Sequence, residues 1–162
     1  MEYEVLTTRF KNDTYEQYIS YKEKHNITTS IYNSIVEIRN NIPVDAICFV
    51  LEMNNDINKI MGIGIIVPLD VSPETDIIRI FDNRYLNTHT YKGDHHLTVY
   101  RDGKSLLDEE KSKYIQDEFE KHLFYGKGNM KRGGGFTAFP KKKLKEEHVD
   151  FLIKLFPTMK KS

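Results

Sequence analysis

The chain has no tryptophan, a single cysteine, and no carboxylate anywhere from Lys121 to Lys145. With Cys48 alone, a disulfide framework is excluded, and 162 residues need none: a domain of that size buries roughly 70% of the surface its unfolded chain exposes. Cys48 sits in the apolar run Ala46-Ile47-Cys48-Phe49-Val50-Leu51 and reads as a small core residue in a reducing interior, not as a catalytic thiol. No apolar segment approaches the roughly 18 residues that span a bilayer, and Met1-Glu2-Tyr3-Glu4 begins no charged-then-apolar leader. The expectation is a soluble intracellular protein with no membrane partner. An excess of one charge is missing as well, since 24 Lys and Arg balance 24 Asp and Glu.

That neutrality conceals a dipole. The acid-free window holds eight cations, Lys121, Lys127, Lys131, Arg132, Lys141, Lys142, Lys143 and Lys145, leaving 16 cations against all 24 carboxylates elsewhere. A basic face on an otherwise acidic domain attracts polyanions at one place and repels them at others, which orients an encounter. Within the window, Gly126-Lys127-Gly128-Asn129-Met130-Lys131-Arg132-Gly133-Gly134-Gly135-Phe136 sets five glycines among three cations. Such a loop exposes backbone N–H groups and lets an anionic ligand approach the main chain. The bland alternative is a solvated loop whose lysines only maintain solubility.

Hydrophobic spacing predicts a first strand at residues 3–10, then a helix capped by Asp13 and Glu16 with Tyr15, Tyr18, Ile19 and Lys22 on one face. Strand character returns at 29–38, a turn follows at Asn40-Asn41, and strands at 46–53 and 59–67 flank Asn54-Asn55-Asp56 as an antiparallel hairpin. Gly62 and Gly64 inside the second of these mark a bulge, a bend or a close approach. Further strands are expected at 77–81, 85–91 and 96–101, the last ending in an Asp102-Gly103 turn. Helices are expected at 107–123 and 142–156, with a frayed tail from Pro157. The order implies one α+β domain spanning the chain, a small curled mixed β-sheet packed by about three helices.

Ala46-Ile47-Cys48-Phe49-Val50-Leu51-Glu52-Met53, a polar turn, and Ile60-Met61-Gly62-Ile63-Gly64-Ile65 together resemble the central hairpin of the PUA-like superfamily, especially its YTH and EVE branches. The resemblance covers roughly residues 3–67. It implies that the curled sheet is a PUA-like β-barrel that reads nucleic acid, often by enclosing a modified base in an aromatic pocket. Ser30-Ile31-Tyr32-Asn33-Ser34 stands where the YTH pattern has an aromatic residue followed by small polar ones, so Tyr32 would wall the pocket and Asn33 or Ser34 would hydrogen-bond. The glycine loop with Ala138-Phe139-Pro140, and the segments Leu51-Glu52-Met53-Asn54-Asn55 and Asn58-Lys59-Ile60-Met61-Gly62-Ile63-Gly64, are also similar to an uncharacterised protein family of large DNA viruses, which would place the chain in an infected host cell.

The functional expectation is therefore an RNA- or DNA-binding module. Lys127, Lys131, Arg132, Lys141, Lys142 and Lys143 are the candidate phosphate contacts, and Tyr32, Asn33, Ser34, Tyr85, Tyr91 and Phe136 the candidate base pocket. The alternative is a protein-interaction or assembly factor whose basic loop docks an acidic partner, a homodimer pairing the two charged faces being one form of it. No cofactor or metal is expected. His89, His95 and His96 cluster near Asp94, but adjacent histidines on a strand point to opposite faces. The glycines lack the Gly-Lys-Ser/Thr ending of a phosphate-binding loop. Asp45, Glu52 and Asp56 bracket the hairpin and could contribute carboxylates, but Glu52 is equally well explained as an exposed strand end and no nucleophile is paired to a base, so no enzyme is expected.

Overall fold

The computed structural model describes residues 2–38, 41–68 and 78–157. In chain order it forms β1 (Tyr3–Phe10), α1 (Asn12–Lys24), β2 (Ser30–Ser34), β3 (Ile47–Asn54), β4 (Lys59–Ile66), a 3-10 turn (Arg84–Asn87), β5 (His89–Gly93), β6 (His95–Thr98), β7 (Tyr100–Arg101) and β8 (Lys104–Ser105). A helix then runs from α2 (Glu109–Ile115) through a π turn (Gln116–Glu120) into α3 (Lys121–Phe124), followed by β9 (Thr137–Ala138) and α4 (Glu146–Lys154). The architecture is α+β. A mixed five-stranded sheet has the order β6-β4-β3-β1-β9, β2 pairs with β5 in a separate two-stranded sheet, and among the described residues no sheet closes into a barrel.

β1 and β3 run parallel at the centre, from Tyr3 opposite Ile47 to Phe10 opposite Asn54. A parallel pair needs a crossover, and α1 with β2 lies within it. Both faces of these strands are covered, which is why they read as nearly continuous apolar runs instead of alternating ones. On one face Val5, Phe49, Leu51 and Met53 pack against Phe119, Leu123 and Leu152 of the later helices. On the other, Leu6, Phe10, Cys48 and Val50 meet Tyr15 and Tyr18 of α1 and Ile31, Tyr32 and Tyr91 of the small sheet. Each fully buried aliphatic or aromatic side chain in these layers contributes about 1.5–3 kcal/mol.

The β3–β4 hairpin pairs Asn54 with Lys59 at its end, with Asn58 in the left-handed region at φ 56°. Its register shifts between Glu52, opposite Gly62, and Met53, opposite Ile60. Met61 is the extra residue of a bulge, so Met61 and Gly62 both lie towards α1, and Gly64 again does so two residues on.

Several expectations are corrected. The N-cap of α1 is Lys11, not Asp13: the Asp56 carboxylate of the hairpin loop accepts from Asn12 N at 2.7 Å, and Thr14 Oγ1 accepts from Lys11 N at 2.9 Å. Residues 85–91 do not form one strand. Asn83 caps a 3-10 turn through Tyr85 N, and β5 starts only at His89. The strand expected at 77–81 begins outside the described residues, and residues 78–80 have no regular structure, because Asn87 Oδ1 takes the N–H groups of Ile80 and Phe81. The final helix starts at Glu146, since Lys143 N and Leu144 N both turn back to Pro140 O. Asn40 and the tail from residue 158 lie outside the described residues. The Asp102-Gly103 turn is present, with φ of 52° and 77°, values suited to a tight hairpin between β7 and β8.

Candidate functional site

The glycine loop is held by one side chain from the far end of the sequence. Arg9, on the β1 face that points away from α1, donates from Nε to Met130 O at 2.9 Å and to Arg132 O at 3.1 Å. Its Nη1 donates to Gly135 O at 3.2 Å and its Nη2 to Thr137 Oγ1. Asn55 Nδ2 adds a bond to Lys131 O at 2.7 Å. A planar guanidinium with five donors in a fixed fork suits this role, because it meets several carbonyls at once. Gly135 has φ 70°, and a Cβ there would lie 2.6 Å from Val36 Cγ2. Any other residue would therefore be strained both in its backbone and against β2's continuation.

Drawn down in this way, Gly133–Gly135 roofs a cavity of about 180 Å³ at the C-terminal end of β1. Its walls are Phe10, Tyr18, Tyr32, Phe81 and Leu86, with Asn33 and Ser34 at the edge. Tyr18 and Tyr32 stack at 6.0 Å with 14° between planes, and Phe10 lies 5.0 Å from Tyr18. At that volume the cavity is smaller than the ~300–1,000 Å³ of drug-sized pockets, so it has room for no more than one ring, and Tyr18 and Tyr32 at its back are 0% and 2% exposed. It adjoins a more open groove of about 570 Å³ that shares Arg9, Phe10, Thr14, Leu86 and Gly133. Lys11 and Lys131 edge that groove, as do Asp13 and Asp82.

The expected site residues are thus only partly brought together. Tyr32, Asn33 and Ser34 line the cavity, but their polar atoms are committed. Asn33 Nδ2 donates to Ile78 O at 2.7 Å and Asn87 Oδ1 at 2.8 Å, its Oδ1 accepts from Thr90, and Ser34 Oγ bonds Val36. Tyr91 and Phe136 form a second layer behind, Phe136 standing edge-on to Tyr32 and Tyr91 at 89° to each. Tyr85 is 61% exposed beside Arg84 and lines no part of the cavity. Among the cations, Lys131 edges the groove, and Lys127 and Arg132 are exposed on the same loop. Lys141, Lys142 and Lys143 are exposed in a turn by the opposite end of β1, where Lys141 pairs with Glu4 at 3.3 Å. Glu4 and Phe10 are six positions apart on a strand that rises about 3.3 Å per residue, so the two basic groups do not merge.

Sequence reasoning missed the polar centre behind the cavity. Glu52 is no exposed strand end but fully buried. Its Oε2 accepts from Tyr32 Oη at 2.6 Å and Tyr18 Oη at 3.2 Å and lies 2.6 Å from His96 Nε2. Burial alone would push this carboxyl up, but the charge of His96, with hydrogen bonds from His96 and Tyr32 and the neighbouring Lys22 ammonium, holds it below its ordinary range. Burial and the Glu52 charge push both tyrosines well above theirs, so they remain donors. The readable signal was the hairpin register, which sets Glu52 opposite Gly62. A Cβ at Gly62 would stand 2.6 Å from Glu52 Oε1, and one at Gly64 would overlap Tyr32 Oη and Ser30 Oγ. The two glycines make room for the carboxylate and its partner. Gly64→Ala is expected to cost about 1–3 kcal/mol by overpacking, measured by urea unfolding; an unchanged midpoint would mean that Tyr32 moves aside freely.

Two other clusters do not offer a metal site. His95 faces Phe156 at 6.3 Å while His96 faces Glu52, on opposite sides of the sheet. Glu118, Glu147 and His148 bring donor atoms within 4.8 Å of one another. However, His148 Nδ1 accepts from Lys145 N at 2.9 Å, so its Nε2 carries the hydrogen given to Glu118 at 3.0 Å and has no lone pair for an ion. Searched against protein-family models, curated proteins and solved structures, the chain matches none.

Proposed function

We propose that the protein is an intracellular nucleic-acid reader of PUA-like type that seats one base in the Tyr18–Tyr32 cavity while the glycine loop meets neighbouring phosphates. The observation that carries this reading is the adjacency of a ring-sized aromatic cavity and a groove edged by Lys131 of a loop already held in place by Arg9. Base stacking on an aromatic wall contributes about 1–3 kcal/mol, and a few phosphate contacts add a salt-dependent increment. Because Arg9 orders the loop before any ligand arrives, binding is spared part of the ordering cost.

Fluorescence anisotropy against short single-stranded RNA, single-stranded DNA and duplex DNA at two salt concentrations tests it. Single strands are expected to bind at about micromolar Kd and to weaken steeply with salt. Replacing both Lys131 and Arg132 with Glu is expected to lower affinity by about tenfold or more and to flatten the salt dependence. Undiminished binding by that double variant would overturn the reading. Absence of binding at low salt would transfer it to an acidic protein partner docked by the basic loop.

A further inference from the structure

Lys22, on the third turn of α1, is 7% exposed, and lysine is almost never buried to that degree without a partner. Its ammonium lies 5.3 Å from the centre of the Tyr18 ring and meets no carboxylate or hydrogen-bond acceptor among the described residues. The stem is what is buried: the Nζ atom itself reaches solvent, so its three donors open onto the neighbouring cleft. Lys22 lines an open cleft of about 580 Å³ between the end of α1 and strands β6 and β7. Arg101 and His96 line the same cavity, and Ile19, Ile27 and Leu106 provide its apolar surface. No residue lines both this cavity and the aromatic one.

We propose that this cavity is a binding site for a small amphipathic acid, its carboxylate or phosphate held by Lys22 and Arg101 and its apolar body laid against Ile19, Ile27 and Leu106. Two features support an anion: Lys22 has donors that no protein group takes, and Arg101 adds a second cation to the same wall. Of the carboxylates around it, Glu16 lies 3.3 Å from Arg101 Nη1 and Asp102 4.0 Å from its Nε, Glu52 is bound to His96 and the tyrosines, and Glu23 lines the cleft as an exposed group. Burial lowers the Lys22 pKa while the Glu52 charge raises it, so an arriving anion would favour the charged form. Because the site shares no residue with the base cavity, it stands whether or not the protein binds nucleic acid.

The test is a nuclear magnetic resonance titration of the full chain with hexanoate, hexyl phosphate and hexan-1-ol. Saturable shifts from either acid confined to residues 19–28 and 96–106, with none from the alcohol, are expected. Lys22→Met is expected to weaken acid binding by about tenfold, and Lys22→Arg, which keeps the charge, to retain most of it. Equal shifts from the alcohol would reduce the site to an apolar cleft and overturn the proposal. No saturation by either acid at roughly 10 mM, or undiminished binding by folded Lys22→Met, would overturn it too. The comparison of acid with alcohol on the unaltered protein stands even if the methionine variant does not fold.

Discussion

Glu52→Ala is expected to destabilise the protein by about 3–5 kcal/mol, the scale for removing one partner of a buried ion pair. The substitution strands three groups at once: Tyr18 Oη, Tyr32 Oη and His96 Nε2 all converge on the lost Oε2. His96 has a side chain only 6% exposed, so water does not replace the carboxylate easily. Glu52→Gln keeps an acceptor for the tyrosines but not the charge, and an intermediate loss is expected. Urea unfolding at neutral pH measures both. A loss for the alanine variant below about 1 kcal/mol, the scale of an exposed pair, would show that the network contributes packing and no ion pair.

The pH dependence follows with a definite sign. The Glu52 carboxyl is held below its ordinary value of 4.5 in the folded protein, so the folded state binds the proton less readily than the unfolded chain. Its contribution is complete above the unfolded value and is lost as pH falls through the folded one. The unaltered protein should therefore lose stability below about pH 4.5, and Glu52→Gln should lack that part of the acid limb.

The second large effect is expected at Arg9. Arg9→Met removes the donor shared by Met130 O, Arg132 O, Gly135 O and Thr137 Oγ1, and should cost about 2–3 kcal/mol, the range for hydrogen bonds to a charged group. The loss should be local before it is global, since the guanidinium ties the glycine loop to β1 and little else. Trypsin cleaves after Lys131 and Arg132, and its rate should rise roughly 30- to 150-fold if cleavage follows the open population. Arg9→Lys should recover less than half of the protection, because one ammonium cannot reproduce a planar fork over four acceptors. Full protection with lysine would show that charge alone orders the loop. In the proposed reader the same variants should weaken nucleic-acid binding, because an opened loop neither roofs the aromatic cavity nor presents Lys131.

Much of the architecture was legible because its causes are local. β1 falls at residues 3–10 as its run of β-formers implied, and the β3–β4 hairpin stands where Asn54-Asn55-Asp56 separates two apolar runs. Tyr15, Tyr18 and Lys22 are buried on one face of α1, as their spacing required, and Asp102-Gly103 makes its turn. Gly62 and Gly64 announced a bulge or a close approach, and both are present. The aromatic strand at residues 85–91 failed for the opposite reason. The Asn83 and Asn87 side chains take the backbone N–H groups that a strand would have used, and a periodicity argument weighs ring type without weighing that competition.

The candidate site divides along the same line. By itself the sequence determined that an acid-free, glycine-rich basic segment exists, that the chain forms an α+β domain, and that Tyr32, Asn33 and Ser34 follow one another on a strand. Only the tertiary structure decided that Arg9 organises that segment across 121 to 128 positions of sequence, and that Lys141–Lys143 stands apart from it. It also decided that Glu52 is the buried centre joining Tyr18, Tyr32 and His96. The physical reason is that strand pairing sets residues face to face by register, and a one-residue bulge changes which face each occupies. Spacing along the chain specifies the elements, whereas the partners of a buried charge are specified by how those elements meet.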